Sequence, residues 1–313
     1  MNSIFIISFI FSTLLIFIFS KILNKVSFGQ SIRKLGPKKH FIKEGTPNIG
    51  GVFIIIITTI ITLIFGISLK EYKITFMLIM PIISYGVLGF LDDYKKSKER
   101  KNDGLTPKTK MIFQILWAVI YFFIFLDDYN TIINVFGLEI NLYWIYGLFI
   151  LLCFVSTSNA FNLCDGIDGL AGGIAIIILF GLLHISNNKM ISIFIVSLIG
   201  SILAFLVFNF HPAKIFMGDS GSLALGVTIA NLCILLKVEI LLLIFGFLMI
   251  IETLSVIIQV LYYKKTNKRV FLMTPIHHHF ELKGYKEPKI TIIFWIFQII
   301  FVIIGIHLYE IYY

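Results

Sequence analysis

The sequence predicts an all-α polytopic integral membrane protein with about ten transmembrane helices. Hydrophobic residues make up 58% of the 313 residues and charged residues only 14%, a composition that excludes an ordinary soluble domain. Apolar runs of about 20 residues, the length that crosses a bilayer as a helix, follow one another along the chain. Short polar segments lie where these runs end. We therefore expect one transmembrane domain, residues 1–313, with its functional groups at the ends of the spans.

The apolar runs define the predicted spans in order. They lie at residues 3–23, 49–69, 74–91, 110–126, 142–160, 170–186, 190–208, 221–236, 239–262 and 290–309. Only Lys237 and Glu239 mark the boundary between the eighth and ninth runs, and the third run is short. The first run has no basic stretch before it and no small-residue cleavage site, so we expect a span there and not a cleaved signal peptide.

The basic residues predict the orientation of the spans. Of the 26 lysines and arginines, 22 lie in or beside the segments that follow the odd-numbered spans. Positively charged loops face the cytoplasm, so both termini are expected to be extracytoplasmic. The net charge of +9 is then concentrated on the cytoplasmic face, where it attracts anionic lipid headgroups and anionic substrates. Nucleic acid is not an expected partner, because no nucleic-acid-binding domain fits between the spans.

Four polar clusters carry most of the groups suited to chemistry: GFLDDYKKSK, NAFNLCDGIDGLAGG, NFHPAKIFMGDSGSLALG and TPIHHHFELKGY. All four fall on the predicted cytoplasmic side, together with HFIKEGTPNIGG at 40–51. A charge costs about 2.5–3.5 kcal/mol at the centre of a membrane helix, so a chain that only needs to fold has little reason to collect them. A second acidic pair, Asp127 and Asp128, falls in an external loop and is interpreted as a solvated turn. We expect a cleft at the cytoplasmic face.

Aspartates dominate two of these clusters. Asp92 and Asp93 end the third span, and because adjacent helical residues point about 100° apart, we expect them to have different roles. Asp219 and Ser220 stand where a helix is predicted to begin, a position that binds anions. A carboxylate that faces a phosphate needs a cation between them, and Mg²⁺ is the natural one. The alternatives are an interfacial cap for the pair and a plain N-cap for Asp219.

The remaining polar residues suggest nucleotide and phosphate contacts. Asp165 and Asp168 lie among glycines, and the Asn162 amide is suited to a planar heterocycle. Phe216 and Asn209 are suited to stacking on a base and hydrogen-bonding it, with core packing as the alternative for Phe216. Cys164 lies in the same polar cluster as Asp165 and is either a buried hydrophobe or a reactive thiol. The three cysteines of the chain form no pairable or metal-binding spacing.

Three consecutive histidines, His277, His278 and His279, follow Pro275 and precede Gly284, which favours a loop. They cannot readily converge on one zinc ion, so we expect imidazoles that bind a diphosphate or exchange protons. Glu252 and Gln259 are seven residues apart and share one helical face. Structural pairing and substrate contact remain open for both.

Together the clusters resemble the polyprenyl-phosphate N-acetylhexosamine-1-phosphate transferase superfamily, and most closely its phospho-N-acetylmuramoyl-pentapeptide transferase branch. The matching stretches are GTPNIGG, LDDYKKSK, GLTPKTK, NAFNLCDGIDGLAGG, NFHPAKIFMGDSGSLALG and TPIHHHFELKGY. They follow the family order from about residue 40 to residue 290. Relatives that use N-acetylglucosamine donors typically have His-x-His-His in the last stretch.

The resemblance implies an activity and a set of site residues. Phospho-N-acetylmuramoyl-pentapeptide moves from UDP-N-acetylmuramoyl-pentapeptide to undecaprenyl phosphate, and UMP is released in a Mg²⁺-dependent reaction at the bacterial plasma membrane. Asp92, Asp93 and Asp219 match the catalytic aspartates, with Asp219 as the metal ligand. The implied substrate-binding residues are Lys43, Asn48, Lys96, Lys110, Asn162, Asp165, Gly166, Asp168, Asn209, Phe216, Gln259, His277, His278 and His279. A homodimer is a family expectation.

The chain departs from the family pattern at two positions. Asn48 replaces a usual threonine, and Cys164 stands where threonine is common.

Three other functions are considered beside the one that the resemblance implies. A UDP-N-acetylglucosamine:polyprenyl-phosphate N-acetylglucosamine-1-phosphate transferase is the alternative within the superfamily. A secondary transporter would show internal repeats and charges at the membrane midplane, and the sequence has neither. A scaffold without activity would leave the acidic clusters without a purpose.

Overall fold

The computed structural model describes residues 1–26, 45–99 and 104–313. Lys43, which was predicted to bind substrate, lies outside these ranges. The described residues form twelve α-helices: α1 (Asn2–Val26), α2 (Gly50–Leu69), α3 (Tyr72–Glu99), α4 (Pro107–Phe125), α5 (Ile145–Cys164), α6 (Leu170–Ile185), α7 (Lys189–Asn209), α8 (Gly218–Leu235), α9 (Leu242–Phe245), α10 (Phe247–Thr266), α11 (Ile276–Leu282) and α12 (Glu287–Tyr312).

The prediction of an all-α polytopic membrane protein is confirmed. Within the described ranges, nine helices are long and apolar enough to span a membrane, namely α1 to α5, α7, α8, α10 and α12. The sixth predicted span is the apolar helix α6, which has only 16 residues. Helices suit a bilayer because they satisfy every backbone N–H and C=O internally, where water is absent.

The ninth predicted span is not one continuous helix. Residues Glu239–Leu241 form a 3₁₀ turn, α9 follows for four residues, and α10 begins only after Gly246. The backbone of Gly246 leaves the helical region at φ −91° and ψ 15°. Just beyond this break, the ring of Phe247 stacks on Phe301 of α12 at 3.8 Å. The apolar pattern continues through the break, which is why the sequence alone does not reveal it.

Helix α8 forms the centre of the bundle. In its most apolar stretch 94% of residues are buried, against 22% in α1, which presents most of its surface outward. Helices α3 and α5 pack along α8 on two sides. A Cβ at Gly89 of α3 would lie 2.1 Å from the carbonyl oxygen of Asp219, so only glycine permits this close approach. The contact holds the ends of α3 and α8 together.

A short antiparallel hairpin, β1 (Ile132–Val135) with β2 (Leu138–Asn141), was not predicted. It lies at the end of the bundle that also holds the α8–α9 connection, where Lys237 Nζ donates to the carbonyl of Asn130. Asp127 and Asp128 precede the hairpin and form exposed ion pairs with Lys73. That arrangement agrees with a solvated turn. The polar clusters meet at the opposite end of the bundle.

Candidate active site

Three aspartates converge where α3 ends and α8 begins. Asp92 and Asp93 lie on α3 and Asp219 lies in the first turn of α8. Each contributes a carboxylate oxygen to a group whose atoms all lie within 4.8 Å of one another. The contact between Gly89 and the Asp219 backbone brings the two helices this close. Asp93 and Asp219 are 126 positions apart in sequence, yet all three aspartates form one acidic centre.

Asp92 is fully buried and faces two lysines. Its Oδ2 lies 2.6 Å from Lys96 Nζ, one turn further along α3, and 3.0 Å from Lys110 Nζ in the first turn of α4. Its Oδ1 accepts a hydrogen bond from the backbone N–H of Leu105 at 2.6 Å. The carboxylate therefore joins the end of α3 to the segment that begins α4.

Asp93 has different partners, because its side chain points to the other side of α3. Its Oδ2 accepts from the backbone N–H of Ser220 at 3.0 Å, and its Oδ1 accepts from Nδ2 of Asn48 at 3.2 Å. Asp93 thus faces the start of α8 and the segment before α2, while Asp92 faces the lysines. The two neighbours do occupy different environments, as the 100° rotation predicts.

Asp219 is the point at which the lysines, the aspartates and α5 meet. Its Oδ2 lies 3.0 Å from Lys96 Nζ and 2.8 Å from Lys110 Nζ. Its Oδ1 accepts from Nδ2 of Asn162, which also donates to Ser222 Oγ. The alternative of a plain N-cap for Asp219 is not supported, because α8 begins at Gly218 with Met217 as N-cap and Asp219 lies inside the first turn. Its carboxylate is directed to the side and not onto the helix end.

The acidic centre suits a hard divalent cation. Three carboxylates supply oxygen ligands, which Ca²⁺ and Mg²⁺ prefer, and their oxygens are close enough to share one ion. Two ammonium groups balance only part of the negative charge. Asp219 is the least buried of the three, with 16% of its side chain exposed, whereas Asp92 has none exposed. The site is therefore open on the side of Asp219.

The GTPNIGG segment pairs with the loop before α8. The carbonyl of Pro47 accepts from the N–H of Phe216, and the carbonyl of Phe216 accepts from the N–H of Gly50, both at 2.8 Å. Gly51 N–H donates to the carbonyl of Met217 at 2.9 Å. These bonds hold the backbone of Phe216 beside the acidic centre, while its ring remains half-buried.

Asp165 lies in the turn between α5 and α6 and is half-buried. Burial, together with the nearby carboxylates of Asp219 and Asp168, raises the pKa of its carboxyl to about 7. Asp165 therefore changes charge close to neutral pH. Gly166, the next residue, packs against the imidazole of His277.

Asp168 and Asn209 form a second polar group beside this turn. Asp168 Oδ2 accepts from the N–H of Ala213 at 3.1 Å and lies 2.9 Å from His211 Nδ1. Asn209 Oδ1 accepts from the N–H of Gly169, and its Nδ2 donates to the carbonyl of Ile215. The Asn209 amide thus braces the loop between α7 and α8, which is a different role from the predicted contact with a base.

The three histidines lie in the short helix α11 and not in the loop that was predicted. Their Nδ1 atoms have three different partners. His277 bonds to Glu252 Oε1 of α10 at 3.0 Å, His278 bonds to Glu281, and His279 accepts from the N–H of Leu272. Consecutive residues of a helix diverge, so these side chains do not converge on a single point.

Gln259 and Cys164 also have defined surroundings. Gln259 Oε1 accepts from the N–H groups of Val270 and Phe271, so the side chain ties α10 to the segment before α11. Structural pairing, one of the two roles left open, accounts for Gln259. Cys164 is fully buried, and the reactive-thiol alternative is not supported.

Comparisons with known proteins show the family to which the chain belongs. Residues 75–237 match the model of glycosyl transferase family 4. Phospho-N-acetylmuramoyl-pentapeptide-transferase of Geobacillus sp. (strain WCH70) is 44% identical over 310 residues, covering 97% of this chain and 96% of the relative. Those of Oceanobacillus iheyensis and Bacillus licheniformis are 44% and 43% identical, with the same coverage of both chains. The chain belongs to the phospho-N-acetylmuramoyl-pentapeptide transferase family.

Membership of the phospho-N-acetylmuramoyl-pentapeptide transferase family makes the protein a multi-pass membrane transferase. The region that matches the glycosyl transferase model contains the acidic centre with Lys96 and Lys110. The similarity to the relatives extends over nearly the whole chain, including the histidine segment.

Two residues near the site, both potential metal ligands, were not predicted from the sequence. His211 and Glu287 form, with Asp168, the second group of potential ligands within 4.8 Å in the described part of the chain. His211 stands in the NFHPAK stretch, where its position in a polar cluster was a usable signal. Glu287 begins α12 and has no comparable local signal.

Proposed function

We propose that this protein transfers phospho-N-acetylmuramoyl-pentapeptide from its UDP-linked donor to undecaprenyl phosphate. The reaction releases UMP and forms the first lipid-linked intermediate of peptidoglycan synthesis. The cleft faces the cytoplasm from the bacterial plasma membrane. One observation carries the proposal: three carboxylates and two ammonium groups meet at the ends of apolar helices. A soluble diphosphate and a lipid phosphate can both reach such a place.

The chemistry requires one phosphorus–oxygen bond to form and one to break. An oxygen of the lipid phosphate attacks the phosphorus that carries the sugar, and the bond from that phosphorus to the UMP oxygen breaks. One diphosphate replaces another, so positioning and charge stabilisation dominate. Lys96 and Lys110, which now bridge Asp92 and Asp219, are placed to bind phosphate oxygens in exchange.

Asp219, with Asp92 and Asp93 beside it, would hold Mg²⁺. When bound, the ion neutralises diphosphate charge and polarises the phosphorus that is attacked. Asp93 receives hydrogen bonds from Ser220 and Asn48, whereas the ion pairs of Lys96 and Lys110 in the described part of the chain are with Asp92 and Asp219. Asp93 is therefore the candidate for accepting the lipid-phosphate proton in direct attack, or for forming an aspartyl-phosphate in a two-step route.

The nucleotide is proposed to lie along the turn between α5 and α6. Asn162 connects this turn to Asp219, and Asp165 and Gly166 form its surface. The half-buried ring of Phe216 stands near, fixed by its backbone bonds to Pro47 and Gly50. An aromatic face there can stack on uracil.

The test is an assay of UMP release by the purified protein with undecaprenyl phosphate and each UDP-sugar in turn. Release is expected with UDP-N-acetylmuramoyl-pentapeptide, to stop in EDTA and to return with Mg²⁺ or Mn²⁺. Release with UDP-N-acetylglucosamine alone would instead support the other branch of the superfamily. Full activity in chelator would refute the role proposed for the cation.

A further inference from the structure

Glu252 and His277 form a buried pair beside the turn between α5 and α6. Glu252 lies on the second turn of α10, and His277 lies in the first turn of α11. Both side chains are fully buried, and His277 Nδ1 lies 3.0 Å from Glu252 Oε1. Because a carboxylate can only accept, the bond places a proton on Nδ1 of the imidazole. The other ring nitrogen, Nε2, is then the atom available for chemistry.

The Nε2 atom of His277 points toward the turn between α5 and α6. It has no hydrogen-bond partner among the described residues, although it is buried. A Cβ at Gly166 would lie 2.1 Å from it, so the ring rests directly against the Gly166 backbone. An unpartnered buried nitrogen costs free energy, on the order of 1–3 kcal/mol. A substrate group that bonds to Nε2 would offset this cost.

Three side chains lie near the pair: Asp165, His278 and Cys164. Asp165 lies beside Gly166, and the ring of His278 lies 4.1 Å from that of His277. The buried Cys164 thiol is within electrostatic range of Glu252. Among the described residues, Glu252 forms its ion pair with His277, whereas Lys96 and Lys110 pair with Asp92 and Asp219.

We propose that Glu252 is a positioning residue: it fixes the orientation and tautomer of His277, so that Nε2 faces the substrate beside Gly166. The inference rests on the proposed function, because His277 can face the donor only if the donor lies along the turn that holds Gly166. Glu252 itself touches no substrate. When one ring nitrogen of a histidine donates to a buried acceptor, the tautomer is fixed and the other nitrogen can bond to a ligand. Metal-bound histidines are oriented in the same way by a hydrogen bond from their second nitrogen.

The effect on turnover is tested with two variants of Glu252. Glu252→Leu removes the acceptor, and we expect kcat to fall by about 10-fold to 100-fold, as for other partners that orient a histidine, with KM changed less than kcat. Glu252→Gln retains an acceptor oxygen and should recover most of the lost kcat. Glu239→Gln is the matched control, since Glu239 is equally buried and bonded but lies at the opposite end of the bundle. It should leave kcat unchanged.

A double-mutant cycle separates positioning from stability. If Glu252 acts only through His277, adding Glu252→Leu to His277→Ala should reduce kcat no further. Multiplied losses, or normal kcat in Glu252→Leu, would overturn the proposal. Should Glu252→Leu fail to fold, Gly166→Ala replaces it, because the added Cβ displaces the ring from the same side. Combining Gly166→Ala with Glu252→Gln should then reduce kcat no more than Gly166→Ala alone, and a further loss would overturn the proposal.

The tautomer can be measured without any activity. ¹⁵N NMR of histidine-labelled protein in lipid nanodiscs, assigned by comparison with His277→Ala, should show a proton on Nδ1 of His277. A proton on Nε2 alone would refute the pairing. If the parent protein releases UMP from none of the UDP-sugars, the proposed function fails, while the NMR result still decides whether Glu252 orients His277.

Discussion

Asn48 donates a hydrogen bond from Nδ2 to Asp93 Oδ1 at 3.2 Å, across 45 positions of sequence. A residue that departs from the family pattern is thus one of the groups that hold Asp93. Another is the backbone N–H of Ser220. Threonine, the usual residue, also offers a donor but has a shorter side chain.

Asn48→Ala should lower turnover, because it leaves Asp93 with one donor fewer. A hydrogen bond to a charged group is worth about 1.5–3 kcal/mol, so a loss of roughly 10-fold to 100-fold in kcat is expected. Asn48→Thr should retain more activity than Asn48→Ala. UMP release at saturating donor measures both, and equal activity of the three proteins would show that the bond is without consequence.

Asp219→Asn should abolish turnover in a folded protein. Asparagine keeps the oxygen that accepts from Asn162, but it loses the charge that faces Lys96, Lys110 and a divalent cation. About 1.4 kcal/mol is a tenfold change in rate, so losing several kcal/mol of charge stabilisation should reduce UMP release by at least about 100-fold. Mg²⁺ should raise the Tm of the parent and not that of the variant.

The control for this experiment is Asp128→Asn, which removes an exposed carboxylate at the opposite end of the bundle. Its UMP release and its response to Mg²⁺ should match those of the parent. Near-normal turnover in Asp219→Asn would contradict the assignment of the acidic centre as catalytic.

Phe216→Ala should weaken nucleotide binding. A base that stacks on an aromatic side chain gains about 1–3 kcal/mol, so the Kd for UMP should rise by roughly 5-fold to 150-fold. Phe210→Ala is the matched control, since its ring packs on Trp295 in the same connection between α7 and α8. An unchanged Kd for UMP in Phe216→Ala would show that the ring does not stack on the base and serves in packing.

The raised pKa of Asp165 predicts that the stability of the protein depends on pH. The pKa of this aspartate is about 7 in the folded protein, above the ordinary value of 3.8, so the folded state holds a proton that the unfolded state has lost. Its contribution is therefore most favourable below pH 4, and stability is lost as pH rises from about 4 to 7. Asp165→Asn removes this loss, so the Tm of the variant relative to the parent should increase between pH 5 and pH 8.

This comparison is made in EDTA, so that bound cations do not shift either protein. Asp127→Asn, an exposed carboxylate before the hairpin, controls for a general charge effect. A Tm difference between Asp165→Asn and the parent that does not vary with pH would mean that Asp165 keeps an ordinary pKa.

The orientation of the bundle can be checked by cysteine labelling. A cysteine at the exposed position Lys283, after α11, should be protected from a membrane-impermeant thiol reagent added to intact cells. A cysteine at Glu139 in the hairpin should react. The reverse result would place the acidic centre outside the cell and would contradict the use of a cytoplasmic UDP-sugar.

Much of this protein could be predicted from sequence. Inside a bilayer every backbone polar group must be satisfied locally, so an apolar run of sufficient length predicts a helix with little ambiguity. The same physics makes each charge at the end of a span costly unless it has a purpose, and this singled out Asp92, Asp93 and Asp219. Lys96 also follows Asp92 by one helical turn, which is a local relationship.

Only the tertiary structure decided which polar groups meet. Asn48 with Asp93, Lys110 with Asp219, and Glu252 with His277 are separated by 45, 109 and 25 positions. Such pairs depend on how helices pack, and the packing is governed by small residues such as Gly89, whose partner is not visible in the sequence. The break at Gly246 could not be predicted for a related reason. An apolar run indicates that residues lie in lipid or in the protein core, but it does not show whether the backbone continues as one helix.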